Sequence, residues 1–494
     1  MRMSLLRVRG SWCRWLMAVV LPAALWPAAG VAQAPSWEAL MAAGEGARRE
    51  ARFAEAERSL RAALPEAERL APDGRETAVT LTGLAALYVA LGRYAEAQPL
   101  GQRGLEVLER AVGQEHPDVA AALQTLGALS HALGRGAEAE ARLGRALAIR
   151  EKALGPERPE VAESLNALGG FFRAQGRYAE AEPALSRALG ITEKALGPDH
   201  ADTATSLNAL AAMYLEQGKY ADAERLFQRA LAVTEKARGR QHPEVARSLA
   251  GLASLDDAQG RYARGQALAE RALAIRERAL GREHPEVAES VHGLAEIYGH
   301  QGKQAEAEPL FRRALAIREK GLGADHPDLA APLTHLAALY GAQGRHAEAE
   351  PLARRALLIS EKALGAEHPY LAETLMVLGD LSLRQGRPAE AEPLFRRALA
   401  ISEKALGSEH PQVAASIAHL AALYRAQGKF AEAEPLYQWA LAVREKALGP
   451  EHPDVAESLE AYALLLKQTQ REAEAAQMEA RARAIRARPP RENP

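Results

Sequence analysis

The segment from His410 to Glu451 reads HPQVAASIAHLAALYRAQGKFAEAEPLYQWALAVREKALGPE. Pro411 sits where a helix begins, because its fixed φ suits the first turn and its missing N–H has no partner there in any case. Ile417, Leu420, Ala421 and Tyr424 then form one apolar helical face, which stops at Gly428 inside the turn AQGKF. A second helix resumes at once. Ala433, Leu436, Tyr437, Ala440, Leu441 and Val443 make its apolar stripe, and Lys446 lies in its last turn, where the helix dipole favours a cation. Gly449 supplies the left-handed C-terminal position, and Pro435, in or just after the first turn, forfeits at most one internal hydrogen bond.

This pair of helices is written many times. His116, His242, His284, His326, His368, His410 and His452 all precede Pro and are spaced by 42 residues or a multiple of it, with Arg158 and His200 (before Ala201) in the two remaining slots. The turn glycines from Gly92 to Gly428 and the terminal glycines from Gly113 to Gly449 keep the same period without insertion or deletion over nine units. Small size is held more strictly than polarity. One first-helix position is Ala or Gly in every copy from Ala85 to Ala421, and two second-helix series, Ala97 to Ala433 and Gly104 to Ala440, are equally small. Leu84 and its eight equivalents up to Leu420 are invariantly Leu. Small residues between helices let the axes approach, so a Leu there is expected to overpack.

These residues resemble the tetratricopeptide repeat (TPR), in the 42-residue variety of kinesin light chains. RPEVAESLNALGG at Arg158–Gly170 looks like that family's first helix and QGRYAEAEP at Gln175–Pro183 its turn and second helix, and the likeness covers about residues 75–468. It implies an all-α, right-handed superhelical solenoid of tandem helical hairpins. The expected organisation is a leader at 1–32, a degenerate hairpin at 33–74, nine repeats at 75–452, a degenerate capping hairpin at 453–488 and a disordered tail at 489–494. In the C-terminal hairpin Gln470 replaces the turn glycine.

The leader is read from Arg2, Arg7, Arg9 and Arg14 preceding the uncharged run WLMAVVLPAALWPAA, Trp15–Ala29. Fifteen residues broken by Pro22 and Pro27 fall short of the roughly 20 that span a bilayer. A cleaved export signal is therefore expected, with cutting near Ala32 and a periplasmic or secreted product; an uncleaved signal anchor in the inner membrane is the alternative. The single cysteine, Cys13, leaves with the leader and excludes a disulfide framework.

Charge and motifs narrow the function. The 494 residues carry 62 basic and 64 acidic side chains, a near-balance without the electrostatic footprint of a nucleic-acid binder. The three Gly-Lys pairs at Gly218, Gly302 and Gly428 lack the following Ser or Thr of a phosphate-binding loop, and no H-E-x-x-H, G-x-S-x-G or paired C-x-x-C occurs. No catalytic residue, cofactor or metal site is expected. The periodic histidines read as helix caps, because equivalent residues of successive units stand too far apart to share an ion. His335 and His419 share one inner position two units apart, with His292 one helical position away.

The resemblance implies that first helices line a concave groove holding a protein or peptide ligand. By position the groove residues would be Gln124, Asn166, Arg173, Asn208, His292, Glu296, His335, Met376, Asp380, His419 and Arg425. The asparagine by which family members clamp a peptide backbone would fall one position after Asn166 and Asn208, at Ala167 and Ala209. Expected is an exported, non-enzymatic scaffold for protein–protein interaction. The alternative is a spacer or assembly factor in a bacterial envelope complex, for polysaccharide export or outer-membrane assembly, with an empty groove.

Overall fold

The structure, a computed structural model, describes residues 35–50 and 52–487. Among them are 22 α-helices and no strand, arranged as successive antiparallel hairpins. The expected export signal lies outside the described residues. No described helix is long and apolar enough to cross a membrane.

Nine hairpins of 42-residue spacing run from Arg75–Ala90 with Tyr94–Val112 (unit 1) to Pro411–Ala426 with Phe430–Leu448 (unit 9). An N-terminal pair, Trp37–Arg49 and Phe53–Leu70, precedes them, and Pro453–Gln468 with Glu472–Ala487 closes the array. Each turn inside a hairpin is a helix C-cap of the Schellman type: in unit 9 the Lys429 amide donates to Tyr424 O at 2.9 Å while Gly428 takes φ 75°. In the closing hairpin Gln470 occupies that position at φ 60°, the only non-glycine with positive φ among the described residues. Its strain is tolerated at the end of the array.

The small-residue series pack as their size requires. Ala97, Ala139, Ala181, Ala146, Ala188 and Ala230 are wholly buried. A Cβ on Gly127 would stand 2.8 Å from Leu143. First helices form an inner layer buried nearly all round; in unit 1 every residue from Thr77 to Val89 is buried. Second helices form the outer layer and bury one stripe.

One first helix departs from the pattern. In unit 7 a short 3₁₀ turn, Pro327–Leu329, precedes the α-helix Ala330–Ala342. Pro332 has no N–H to offer Asp328 O, and that carbonyl accepts from the Arg318 guanidinium at 2.8 Å, as Glu160 O, Glu286 O and Asp454 O do from Arg150, Arg276 and Arg444.

The winding of the hairpins brings distant loops together. His284 Nε2 lies 2.9 Å from Ala90 O, 194 residues earlier, and the same separation recurs for His368 with Ala174 O (3.2 Å), His410 with Glu216 O (3.1 Å) and His452 with Ala258 O (2.8 Å). His326 and Ala132 O make the equivalent contact. One superhelical turn therefore takes between four and five units, and each His-Pro loop from His242 onward sits on the end of a first helix one turn below. The turn glycines complete the seam: a Cβ on Gly92 or Gly176 would fall 2.5 or 2.6 Å from Pro285 or Pro369.

Candidate functional site: the inner face of the first helices

From His242 onward the periodic histidines do two jobs with one ring. Nδ1 of His116, His200, His242, His284, His326, His368, His410 and His452 accepts from the backbone N–H two residues on, at 3.1 to 3.2 Å, which is an N-cap. An accepting Nδ1 places the proton on Nε2, which donates across the seam to the carbonyls named above. Burial pushes His368 and His410 down to about 4, so the neutral form is held.

The candidate groove residues are on the first helices as expected, but most are not presented to solvent. Gln124, Asn166, Arg173, Asn208, His292, Glu296, His335, Met376 and Asp380 are all buried; His419 and Arg425 are partly accessible. What covers them is the next unit. Asn166 Nδ2 donates to Ser206 Oγ at 2.8 Å, Ser248 Oγ to Asn208 Oδ1 at 3.0 Å, and Ser416 Oγ contacts Met376 Sδ at 3.3 Å. Gln124 Oε1 accepts from Arg150 at 2.6 Å and from Ser164 at 3.2 Å. These are rungs between consecutive first helices, each joining residues 40 apart where a serine is the partner. Arg173 is ion-paired with Glu216 in the seam, beside Tyr370 from the turn above. Asp380 is held by Arg384 at 2.6 Å, and Arg425 reaches Tyr437 and Gln468 at 3.4 and 3.3 Å.

Sequence reasoning missed the other half of the rungs. A second-helix residue 26 positions on fills the space beside each inner residue: Arg150, Arg276, Arg318 and Arg444 accompany Gln124, Ala250, His292 and Ala418, whereas Thr192, Thr234, Ser360 and Ser402 accompany Asn166, Asn208, Thr334 and Met376. Arg150, Arg276 and Arg444 each bond the serine of the following first helix, at 2.9, 2.7 and 2.8 Å. This alternation between arginine and a short hydroxyl is visible in the sequence, and it marks packing rather than ligand choice.

Two inner regions differ from this filled pattern. Glu296, His292 and His335 converge in units 6 and 7, with His335 Nε2 also 2.8 Å from Glu373 Oε1. Between the first helix of unit 9 and the hairpin after it, Ala415, Ala418, His419, Ala461, Leu464 and Glu479 border a cleft of about 230 Å³. Leu464 is 43% exposed there.

The outer surface is a charge ladder. Arg187, Arg229, Arg271 and Arg313 each pair at 2.6 Å with a glutamate 36 residues earlier, on the preceding second helix. Arg397 and Lys404 belong to it through Glu361 and Glu367. Half-exposed pairs of this kind set register more than stability.

Tandem hairpins, small-residue seams and turn glycines define a helical-repeat solenoid. A tetratricopeptide-repeat family model matches residues 38–110, 118–189, 161–236, 202–264, 244–320, 328–404, 378–446 and 413–488, and the chain belongs to that family. Its repeats are of the kinesin-light-chain kind. A crystal structure of nearly identical kinesin-light-chain TPR-like repeats from Podosopora anserina is 34% identical, over 42% of this chain and 97% of that one, with a TM-score of 0.34. BtubC (BKLC) from P. vanneervenii is 23% identical over 48% of this chain and 96% of its own, at a TM-score of 0.35. The human IFIT1 dimer with PPP-AAAA is 19% identical over 90% and 89%, at 0.46. No curated protein matches the chain. Such repeats make this a protein-interaction scaffold.

Proposed function

We propose that the protein is an exported, non-enzymatic scaffold that holds a segment of a partner protein in the cleft at the C-terminal end of its inner face. The observation that carries this reading is the contrast between the filled rungs of units 2 to 4, 7 and 8 and an open cleft beside His419 and Leu464. Its alanine floor admits a backbone closely, and an exposed leucine offers apolar contact. Recognition there rests on shape and scattered polar contacts, since no aromatic platform borders the cleft.

Crosslinking capture from envelope fractions tests the site. Replacing His419 and Leu464 together by Glu removes the captured partner while helicity is retained; substituting Arg396, Arg397 and Lys404 by Ala leaves capture intact. Loss only in the second set moves the interaction to the outer ladder. Glutamates at Asn166, Asn208 and His335 are a poor probe, because they place carboxylates among buried rungs and unfold the array. Export is tested by N-terminal sequencing of the envelope protein, with a start near Gln33 expected; a chain retaining Met1 and extracted only by detergent overturns it.

A specific observation also supports the spacer reading. Turn-upon-turn docking through His284 to His452 stiffens the solenoid along its length, as a rigid spacer requires. Capture of no partner by the wild-type protein, with loss of envelope function on deletion of one turn, would favour it.

A further inference from the structure

Units 6 to 8 bring four ionisable side chains together on the inner face, two of them, His335 and Glu296, at positions where most other units carry small residues. The His335 position is Ala at 167 and 209 and Gly at 251 and 293; the His292 position is Ala at 250 and 418; the Glu296 position is Ala at 212, 338 and 422. All three residues are buried, and their ligating atoms lie within 4.8 Å of one another. Glu296 Oε1 is 3.5 Å from His335 Nδ1 and 3.9 Å from His292 Nε2. Tetrahedral coordination at about 2.0 to 2.1 Å sets donors roughly 3.3 Å apart, and the two imidazoles, stacked with centroids 4.9 Å apart and planes 11° from parallel, rotate about their side-chain bonds to aim both lone pairs at one ion.

We propose that His292 Nε2, a Glu296 carboxylate oxygen and His335 Nδ1 bind one divalent transition-metal ion of the zinc type, with Glu373 as the positioning residue for His335. Two imidazoles and one carboxylate suit such an ion and disfavour calcium or magnesium, which want oxygen donors throughout. His335 Nε2 faces Glu373 at 2.8 Å, which fixes the tautomer with Nδ1 as the ligating atom, as carboxylates behind metal-bound histidines do. His335 Nδ1 makes no hydrogen bond within the protein. A cavity of about 40 Å³ bordered by His292, Glu296, Ser254 and Ser290 has room for the solvent that completes the coordination.

Electrostatics sets the cost. Burial opposes charge on His335, but Glu373 and Glu296 outweigh it and lift the ring to about 9, against Arg318 nearby. An ion binds only deprotonated imidazole nitrogens, so uptake strengthens as pH rises.

The array also contains its own control. Two units later the same four positions carry Met376, Asp380, His419 and Glu457. There a thioether stands in place of one imidazole and Arg384 holds the aspartate at 2.6 Å.

The test is titration of Co²⁺ into untagged, chelator-treated full-length protein, following the visible bands of a tetrahedral cobalt centre and the bound stoichiometry. One equivalent is expected. It is lost in His292→Ala and in His335→Ala, both of which install a residue the array already carries at that position. It weakens about 10- to 100-fold in Glu373→Gln and is unchanged in His419→Ala. Circular dichroism confirms that each variant is folded, and thermal stabilisation by the ion accompanies binding. No uptake by the wild-type protein, or uptake that survives either histidine substitution, overturns the proposal.

Discussion

At Glu115–Pro117 and again at Glu367–Pro369 the chain writes Glu-His-Pro, and both histidines cap the helix that follows. Their surroundings differ. His116 belongs to the first superhelical turn, has no turn beneath it among the described residues, and leaves 37% of its side chain exposed. His368 sits on Ala174 O and is 6% exposed. The two departures from the histidine-proline pattern, Arg158 and the His200-Ala201 pair, both fall in that undocked first turn, where side chains remain 60% and 45% exposed. A loop that only caps tolerates substitution; a loop that also docks uses the ring's second nitrogen and the flat face of proline.

The largest expected effect comes from the glycines beneath the docked loops. Gly176→Val meets left-handed strain of about 1 to 2 kcal/mol and, because Pro369 lies against it, a further clash of about 1 to 3 kcal/mol. Gly386→Val, with nothing within 4 Å, meets only the strain. Urea denaturation followed by circular dichroism measures the gap, and equal losses would mean that the turns do not touch.

Replacing the histidines gives a smaller difference of the same sign. His116→Ala loses a cap, about 1 kcal/mol. His368→Ala loses the cap and leaves a carbonyl in the seam without its donor, adding about 1 to 3 kcal/mol. Hydrogen exchange sharpens the comparison, since extra opening in the second variant is expected both around Pro369 and at the end of the helix Pro159–Ala174.

Acid should act on the docked loops. His368 and His410 are held near 4 in the folded chain against about 6.5 when unfolded. A base whose folded pKa is depressed takes up a proton on unfolding, so its contribution is complete above about pH 6.5 and is lost as pH falls toward 4, at about 1.4 kcal/mol per pH unit for each ring. The double variant His368→Gln, His410→Gln should show a lower but flatter stability profile over that window. An unchanged slope would remove these rings from the acid response.

The smallest effect is expected where the two regions do not differ. Lys152 pairs with Glu115 at 2.6 Å and Lys404 with Glu367 at 2.5 Å, all four exposed. Lys152→Ala and Lys404→Ala should shift the unfolding midpoint by little and by the same amount.

Much of the local structure was legible in the sequence because it depends on neighbours within one period. Pro411 and Gly428 mark helix ends through backbone geometry, the Ala and Gly series mark close packing, and His410 marks a cap; each is decided within the 42 residues of a repeat. The inner-face residues were legible in position but not in state. Asn166 and Asn208 vary between units as ligand-reading residues would, yet they vary in step with Thr192 and Thr234 on the second helix, because a fixed space must be filled. What only the tertiary structure decided is the pitch. Small rotations between hairpins accumulate over four to five units, and no single repeat records their sum. That sum determines that His284 meets Ala90 and that His452 meets Ala258. The meeting of His335 with Glu296 and Glu373 is likewise set by how consecutive units are placed against one another.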